Sequence, residues 1–149
     1  MSPTITSALS LFLYGLSAFL IFNQLTHHSE KTARQRWLSL SPVFIGLILH
    51  AAALYQLIWH TNGLDLGFFA TFSLITVLIS IQILLSCFFR HIEALGIVMF
   101  PMAGLASLAS SMTPVTSAKL IVVSNVTIQG HIMISVIAYS LIMLGAVQA

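Results

Sequence analysis

Five stretches of this chain, residues 3 to 25, 39 to 60, 66 to 89, 92 to 112 and 126 to 149, are nearly free of charge and each long enough to cross a membrane. A helix rising about 1.5 Å per residue needs roughly 20 apolar residues to span the hydrocarbon, and it satisfies its own backbone N–H and C=O groups on the way. The expected fold is therefore all-α, a polytopic transmembrane helix bundle of about five spans forming a single transmembrane domain over residues 1–149. Composition supports a lipid-facing surface: 58% of residues are hydrophobic, 5% are charged and the mean hydropathy is +1.05. A soluble domain carries about 25% charged residues to keep its surface wet. No internal repeat, low-complexity tract or soluble domain interrupts the pattern.

Charge is too sparse to form a nucleic-acid footprint, with five Lys/Arg against three Asp/Glu and a formal net charge of +2. Cys87 is the single cysteine, which excludes an internal disulfide, a Cys-x-x-Cys pair and the Cys-x-x-Cys-His of covalent haem attachment. The N-terminal MSPTITS has no basic residue before the first apolar run, and that run is longer than a signal-peptide core, so it reads as a retained first helix. Between the first two runs lies HHSEKTARQRW, with Lys31, Arg34 and Arg36. Short basic loops stay in the cytoplasm. The N-terminus, the 61–65 turn and the 113–125 loop are then expected outside and Arg90 inside, which leaves Lys119 as the one external basic residue.

Several helix ends are marked. Ser41-Pro42 suits a cap followed by a first-turn proline; Asp65 and Glu93 precede helices, where the macrodipole favours an anion; Arg90 closes one, where a cation is favoured. Pro101 falls inside GIVMFPMAG, between Gly96 and Gly104. A kink is expected there, with close helix approach at the glycines, serving either packing or a ligand cavity.

Six histidines are present. His27 and His28 belong to the polar connector, His91 adjoins Arg90, and His60 follows Trp59, where interfacial rings belong. His50 and His131 lie within spans. His50, in GLILHAAALYQ, is about eleven residues into the second run, hence roughly 17 Å from its inner end, with Gly46 and Ala53 on its face. It reads either as a buried histidine bonded across helices or as a ligand or proton-relay group. His131 shares a stripe with Ser124, Thr127, Ser135 and Tyr139, which is expected to face the protein. An ionisable residue within a membrane is a functional candidate by default, and a neutral imidazole is a common haem-iron ligand.

Other catalytic constellations are missing. Asp65 and Glu93 fall at opposite membrane faces, so they form no carboxylate pair, and the chain has no phosphate-binding glycine loop, His-Glu-x-x-His or Gly-x-Ser-x-Gly. No enzymatic bond-making step is expected of this chain.

The order of four segments nevertheless resembles a known family. ILHAAALYQ at 48–56, NGLDLGFFATFSLI at 62–75, LGIVMFPMAGLASL at 95–108 and IQGHIMISVIAYSLIMLGAVQA at 128–149 are similar to the N-terminal half of the cytochrome c assembly family of membrane haem-handling proteins, the CcsA, ResC and HemX group, and within it to the YpjD-type bacterial inner-membrane proteins. The resemblance runs from about residue 45 to 149. It implies that His131 is an external axial haem ligand, and so the metal-binding residue, and that His50 matches a membrane histidine of the subgroup. It also implies haem and other cytochrome c assembly subunits as partners beside the lipid bilayer, and a bacterial inner-membrane location. Phe68, Phe69, Phe72 and Tyr139 are candidate apolar walls for the haem.

The family's tryptophan-rich external motif and a partner histidine have no counterpart here, and an inward-running fifth helix should end near basic residues, yet GAVQA has none. The expectation is the N-terminal part of a unit of about eight spans, as the resemblance implies, or completion by a second membrane subunit. Two further functions stay open: a permease or channel-like subunit with a polar path through His50 and His131, and a ligand-free structural subunit.

Overall fold

The computed structural model of the chain describes residues 2–26, 33–60, 63–65, 67–90, 92–113, 122–123 and 125–148. Five long helices carry the fold: α1 (Pro3–Thr26), α2 (Ala33–Ile58), α3 (Phe68–Phe89), α4 (Gly96–Met112), entered through a 3₁₀ turn at Glu93–Leu95, and α5 (Val126–Gln148). Each belongs to a segment long and apolar enough to span a membrane, so the all-α, five-span expectation holds. At one end of the bundle, strands β1 (Trp59–His60), β2 (Gly63–Asp65) and β3 (Val122–Val123) pair antiparallel in the order β1-β2-β3, with Trp59 opposite Leu64 and Leu64 opposite Val123. This is the ladder end; the opposite end, where α2 starts and α3 stops, is the basic end.

Helix α1 explains why this interior suits a bilayer. It buries Ser7, Ser10, Tyr14, Ser17 and Ile21, three or four residues apart, and exposes Phe12, Leu16, Phe19 and Phe22. In water that arrangement is inside out. In lipid, which is as apolar as the outward phenylalanines, small hydroxyl residues inside let backbones approach and bond across helices. A Cβ on Gly104 of α4 would lie 2.7 Å from Leu11 Cα, and one on Gly46 of α2 would lie 3.3 Å from Leu13 Cβ. The Ser107 hydroxyl donates to Ser7 Oγ at 3.0 Å, and that of Ser17 to the Ser39 carbonyl at 2.5 Å. Around this seam pack Leu40, Val43, Ile79, Ile83 and Phe100, all buried.

Helix α2 starts earlier than its apolar run. It begins at Ala33 rather than near 39, which puts Ser41-Pro42 in its interior and overturns the reading of that pair as a cap. The physical reason lies with Arg36. Its guanidinium forms an ion pair with Glu93 and donates to the carbonyls of Cys87 and, at 3.0 Å, Arg90. A charged first turn is thereby docked on the end of α3 and the start of α4. Pro42 has no N–H for the Leu38 carbonyl four residues back, and the Ser41 hydroxyl donates to that carbonyl at 2.8 Å. Arg90 is the C-cap of α3, as expected, while Glu93 sits in the 3₁₀ turn. Pro101 lies inside α4.

Helix α5 is peripheral. It packs chiefly on α3 and is the least buried of the five spans, 11% against 39 to 50% for the others. Val136, Ser140 and Leu144 form its inner face, and Gln82 of α3 donates to Ser140 Oγ at 2.8 Å.

Candidate functional site

The two histidines within spans have opposite surroundings. His50 is fully buried where α1, α2 and α3 meet. Its Nε2 lies 2.8 Å from Ser73 Oγ of α3 and its Nδ1 lies 3.4 Å from the Tyr14 hydroxyl of α1. The Tyr14 ring meets the imidazole edge-on at 6.0 Å and stacks on Phe100 of α4 at 5.9 Å, so all four inner helices converge here. A neutral imidazole has one donor and one acceptor, and a hydroxyl can act as either, so Ser73 and Tyr14 satisfy both ring nitrogens in either tautomer. Below them Thr76 donates to the Ser73 carbonyl and Ser80 to the Thr76 carbonyl, each at 2.9 Å. Iron ligation needs a nitrogen lone pair that faces the metal, and in this arrangement each nitrogen faces a hydroxyl.

Counting along α2 places His50 four residues past the midpoint of Arg34–Ile58, about 6 Å toward the ladder end. His131 is five residues into α5, about 7.5 Å from the same end. Counted from Ile58, His50 is about 12 Å from that end, so the two depths differ by only about 4.5 Å.

His131 is exposed. At about 100° per residue, it projects roughly opposite to the face formed by Val136, Ser140 and Leu144. Thr127 and Tyr139 are exposed on the same side and Ser135 is half-buried. The expectation that this stripe faces into the protein is therefore corrected for these five helices: α5 turns its aliphatic and Ser140 face to α3 and its polar row outward. Periodicity identified the row but not its direction, because the remaining faces of α5 are equally apolar. Ser124 lies outside the described residues, as do His27, His28 and His91, and nothing is described of the His60 side chain.

Three of the four candidate walls come together, but without Tyr139 and away from His131. Phe68 meets Phe69 edge-on at 5.3 Å and stacks on Phe72 at 6.4 Å, and these rings line a groove of about 310 Å³ with Met102, Leu105 and Ala109 of α4. A second, larger groove of about 550 Å³ runs between α2, α3 and α5, lined by Ala51, Leu54, Tyr55, Leu74, Val77 and Met133. The two grooves use opposite faces of α3, and His131 projects away from both. Among the described residues no group of three or more His, Cys, Asp or Glu comes together as a metal site. At α5 the described residues offer one exposed imidazole, that of His131.

Sequence reasoning singled out His50 but not Tyr14, Ser73 or the Arg36–Glu93 pair. A signal for Tyr14 was present: Ser7, Ser10, Tyr14 and Ser17 repeat at the spacing of one helix face.

A multi-pass, all-α membrane protein with one sealed and one outward histidine is what this arrangement defines. No family model, curated protein or solved structure matches the chain.

Proposed function

We propose that this protein handles haem during cytochrome c assembly, holding it through His131 as a single axial ligand while His50 positions helices. The observation that carries the reading is the contrast between the two imidazoles: His131 is exposed and makes no side-chain hydrogen bond to another described residue, whereas both nitrogens of His50 face hydroxyls. The four-segment resemblance supplies the identity of the cargo. Haem enters as cargo, and the chain's own task is to offer a ligand within the membrane, with no bond made or broken in it. The location is a bacterial plasma membrane, with the N-terminus and the ladder end outside and the basic connector inside. The test is haemin titration of the purified protein in lipid nanodiscs. A Soret band that shifts on binding, is lost in His131→Ala and is kept in Ser73→Ala is expected; an unchanged spectrum in His131→Ala overturns the assignment.

A second reading, a permease-like subunit, is favoured by a different observation. Ser7, Ser10, Tyr14, Ser17, Ser39, His50, Ser73, Thr76, Ser80 and Ser107 are all buried along the inner helices, a hydroxyl seam with an imidazole within it. Proton or solute flux in proteoliposomes, lost in Tyr14→Phe and accompanied by no pigment, would select it over haem handling.

A further inference from the structure

Three arginines are described at the basic end, and the fold engages only one guanidinium. Arg36 is held by Glu93 and by the carbonyls of Cys87 and Arg90. The side chains of Arg34 and Arg90 are exposed and make no ion pair or hydrogen bond to another described residue. Arg34 opens the apolar span Arg34–Ile58 and Arg90 directly follows the span Phe68–Phe89, so both side chains stem from the same boundary of the hydrocarbon. Between them lies an aromatic pair. The rings of Trp37 in α2 and Phe88 in α3 meet at 4.9 Å, tilted by 52°, and both are exposed. At about 100° per residue Arg34 stands roughly 60° round α2 from Trp37, whereas Arg36, whose guanidinium reaches the Arg90 carbonyl, stands roughly 100° round in the other sense. The ring pair is thus flanked by Arg34 on one side and by the Arg90 backbone on the other. Toward the bilayer centre, Leu85, one turn before Phe88, and Ile45, about two turns beyond Trp37, continue the exposed apolar surface.

We propose that this surface binds one anionic phospholipid, its phosphate between the guanidinium groups of Arg34 and Arg90, its glycerol over the Trp37–Phe88 rings and an acyl chain along Leu85 and Ile45. A guanidinium matches phosphate both in charge and in the geometry of its forked donors. With Glu93 neutralised by Arg36, the charges of Arg34 and Arg90 have no compensation among the described residues, which favours an anionic headgroup over a zwitterionic one. Basic clusters between spanning helices are where anionic headgroups settle, and tryptophan sits at headgroup level because its ring is amphipathic. The site lies at the opposite end of the bundle from His131 and is independent of the haem reading.

Trp37 reports on its own occupant. In a Trp59→Phe chain, where Trp37 is the sole tryptophan, the protein is reconstituted in phosphatidylcholine nanodiscs carrying brominated lipid. Brominated phosphatidylglycerol is expected to quench Trp37 fluorescence more strongly than brominated phosphatidylcholine at the same mole fraction, and the excess is expected to saturate at one lipid per chain. Arg34→Gln with Arg90→Gln should abolish that excess while leaving quenching by brominated phosphatidylcholine, which reports insertion and fold, unchanged. Equal quenching by the two lipids in the parent, an excess that grows without saturating, or one that survives the double substitution overturns the site. A second arm adds inorganic phosphate against chloride at matched ionic strength: an undiminished excess supports a lipid ligand, whereas its loss assigns the two arginines to free phosphate and overturns the lipid.

Discussion

Gly104 of α4 lies directly against the backbone of Leu11 in α1: a Cβ at position 104 would sit 2.7 Å from Leu11 Cα and 3.1 Å from Leu11 Cβ. Backbone atoms cannot swing aside as a side-chain tip can. Gly104→Ala is therefore expected to push α1 and α4 apart and destabilise the bundle by about 1–3 kcal/mol, the range for overpacked cores. Gly130→Ala, where nothing lies within 4 Å, is the control and leaves the thermal midpoint in detergent unchanged. Equal midpoints for the two variants would refute the close contact.

The Arg36–Glu93 pair joins the start of α2 to the turn before α4, and Arg36 also holds two carbonyls at the end of α3. With side chains only 16% and 13% exposed, removal of one partner strands the other charge. Arg36→Met should cost about 3 kcal/mol, near the lower bound for a broken buried pair, and Arg36→Met with Glu93→Leu should cost less than the single change. A double variant no more stable than Arg36→Met would show that the pair is not coupled.

At His50 the two bonds differ in length, 2.8 Å to Ser73 against 3.4 Å to Tyr14. Double-mutant cycles with His50→Phe, Ser73→Ala and Tyr14→Phe should give a larger coupling for Ser73, on the scale of about 0.6 kcal/mol typical between membrane helices. A larger coupling to Tyr14 would reverse the ranking of these contacts.

Ser41→Ala removes the hydroxyl that donates to the Leu38 carbonyl, which Pro42 cannot serve. The loss should be about 1 kcal/mol, and Pro42→Ala, which restores a backbone N–H, should rescue it. Chemical denaturation in mixed micelles reads both; an unaltered Ser41→Ala would mean that the carbonyl finds another partner.

His131→Ala should leave stability within about 0.5 kcal/mol of the parent when the protein is monomeric in detergent, as for exposed positions. His50→Ala should lower it by more, because it strands two buried hydroxyls. Comparable losses for both would contradict the exposed placement of His131.

Much of the architecture could be read directly from residue order. The hydrophobic runs located all five helices to within a few residues at most ends, because a span's length is imposed by the bilayer and not by its neighbours. The start of α2 was the exception. Arg34 and Arg36 look like connector residues until Glu93 and the carbonyls of Cys87 and Arg90 are placed beside them, and those groups are more than 50 positions away. At the histidines the outcome divided in the same way: burial of His50 was among the readings open from its depth and its small neighbours, while its partners Tyr14 and Ser73, from two other helices, were not foreseen.

Solvent choice, helix number and the membrane depth of the polar groups are local properties, settled by composition and by a rise of 1.5 Å per residue. The rotation of each helix about its own axis is not local. In α5 the faces other than the polar row are equally apolar, so only packing against α3, through Val136, Ser140 and Leu144, decided that the His131 row points outward. In α1 the hydroxyl face turned inward because Gly46 and Gly104, on two other helices, leave room for it to approach.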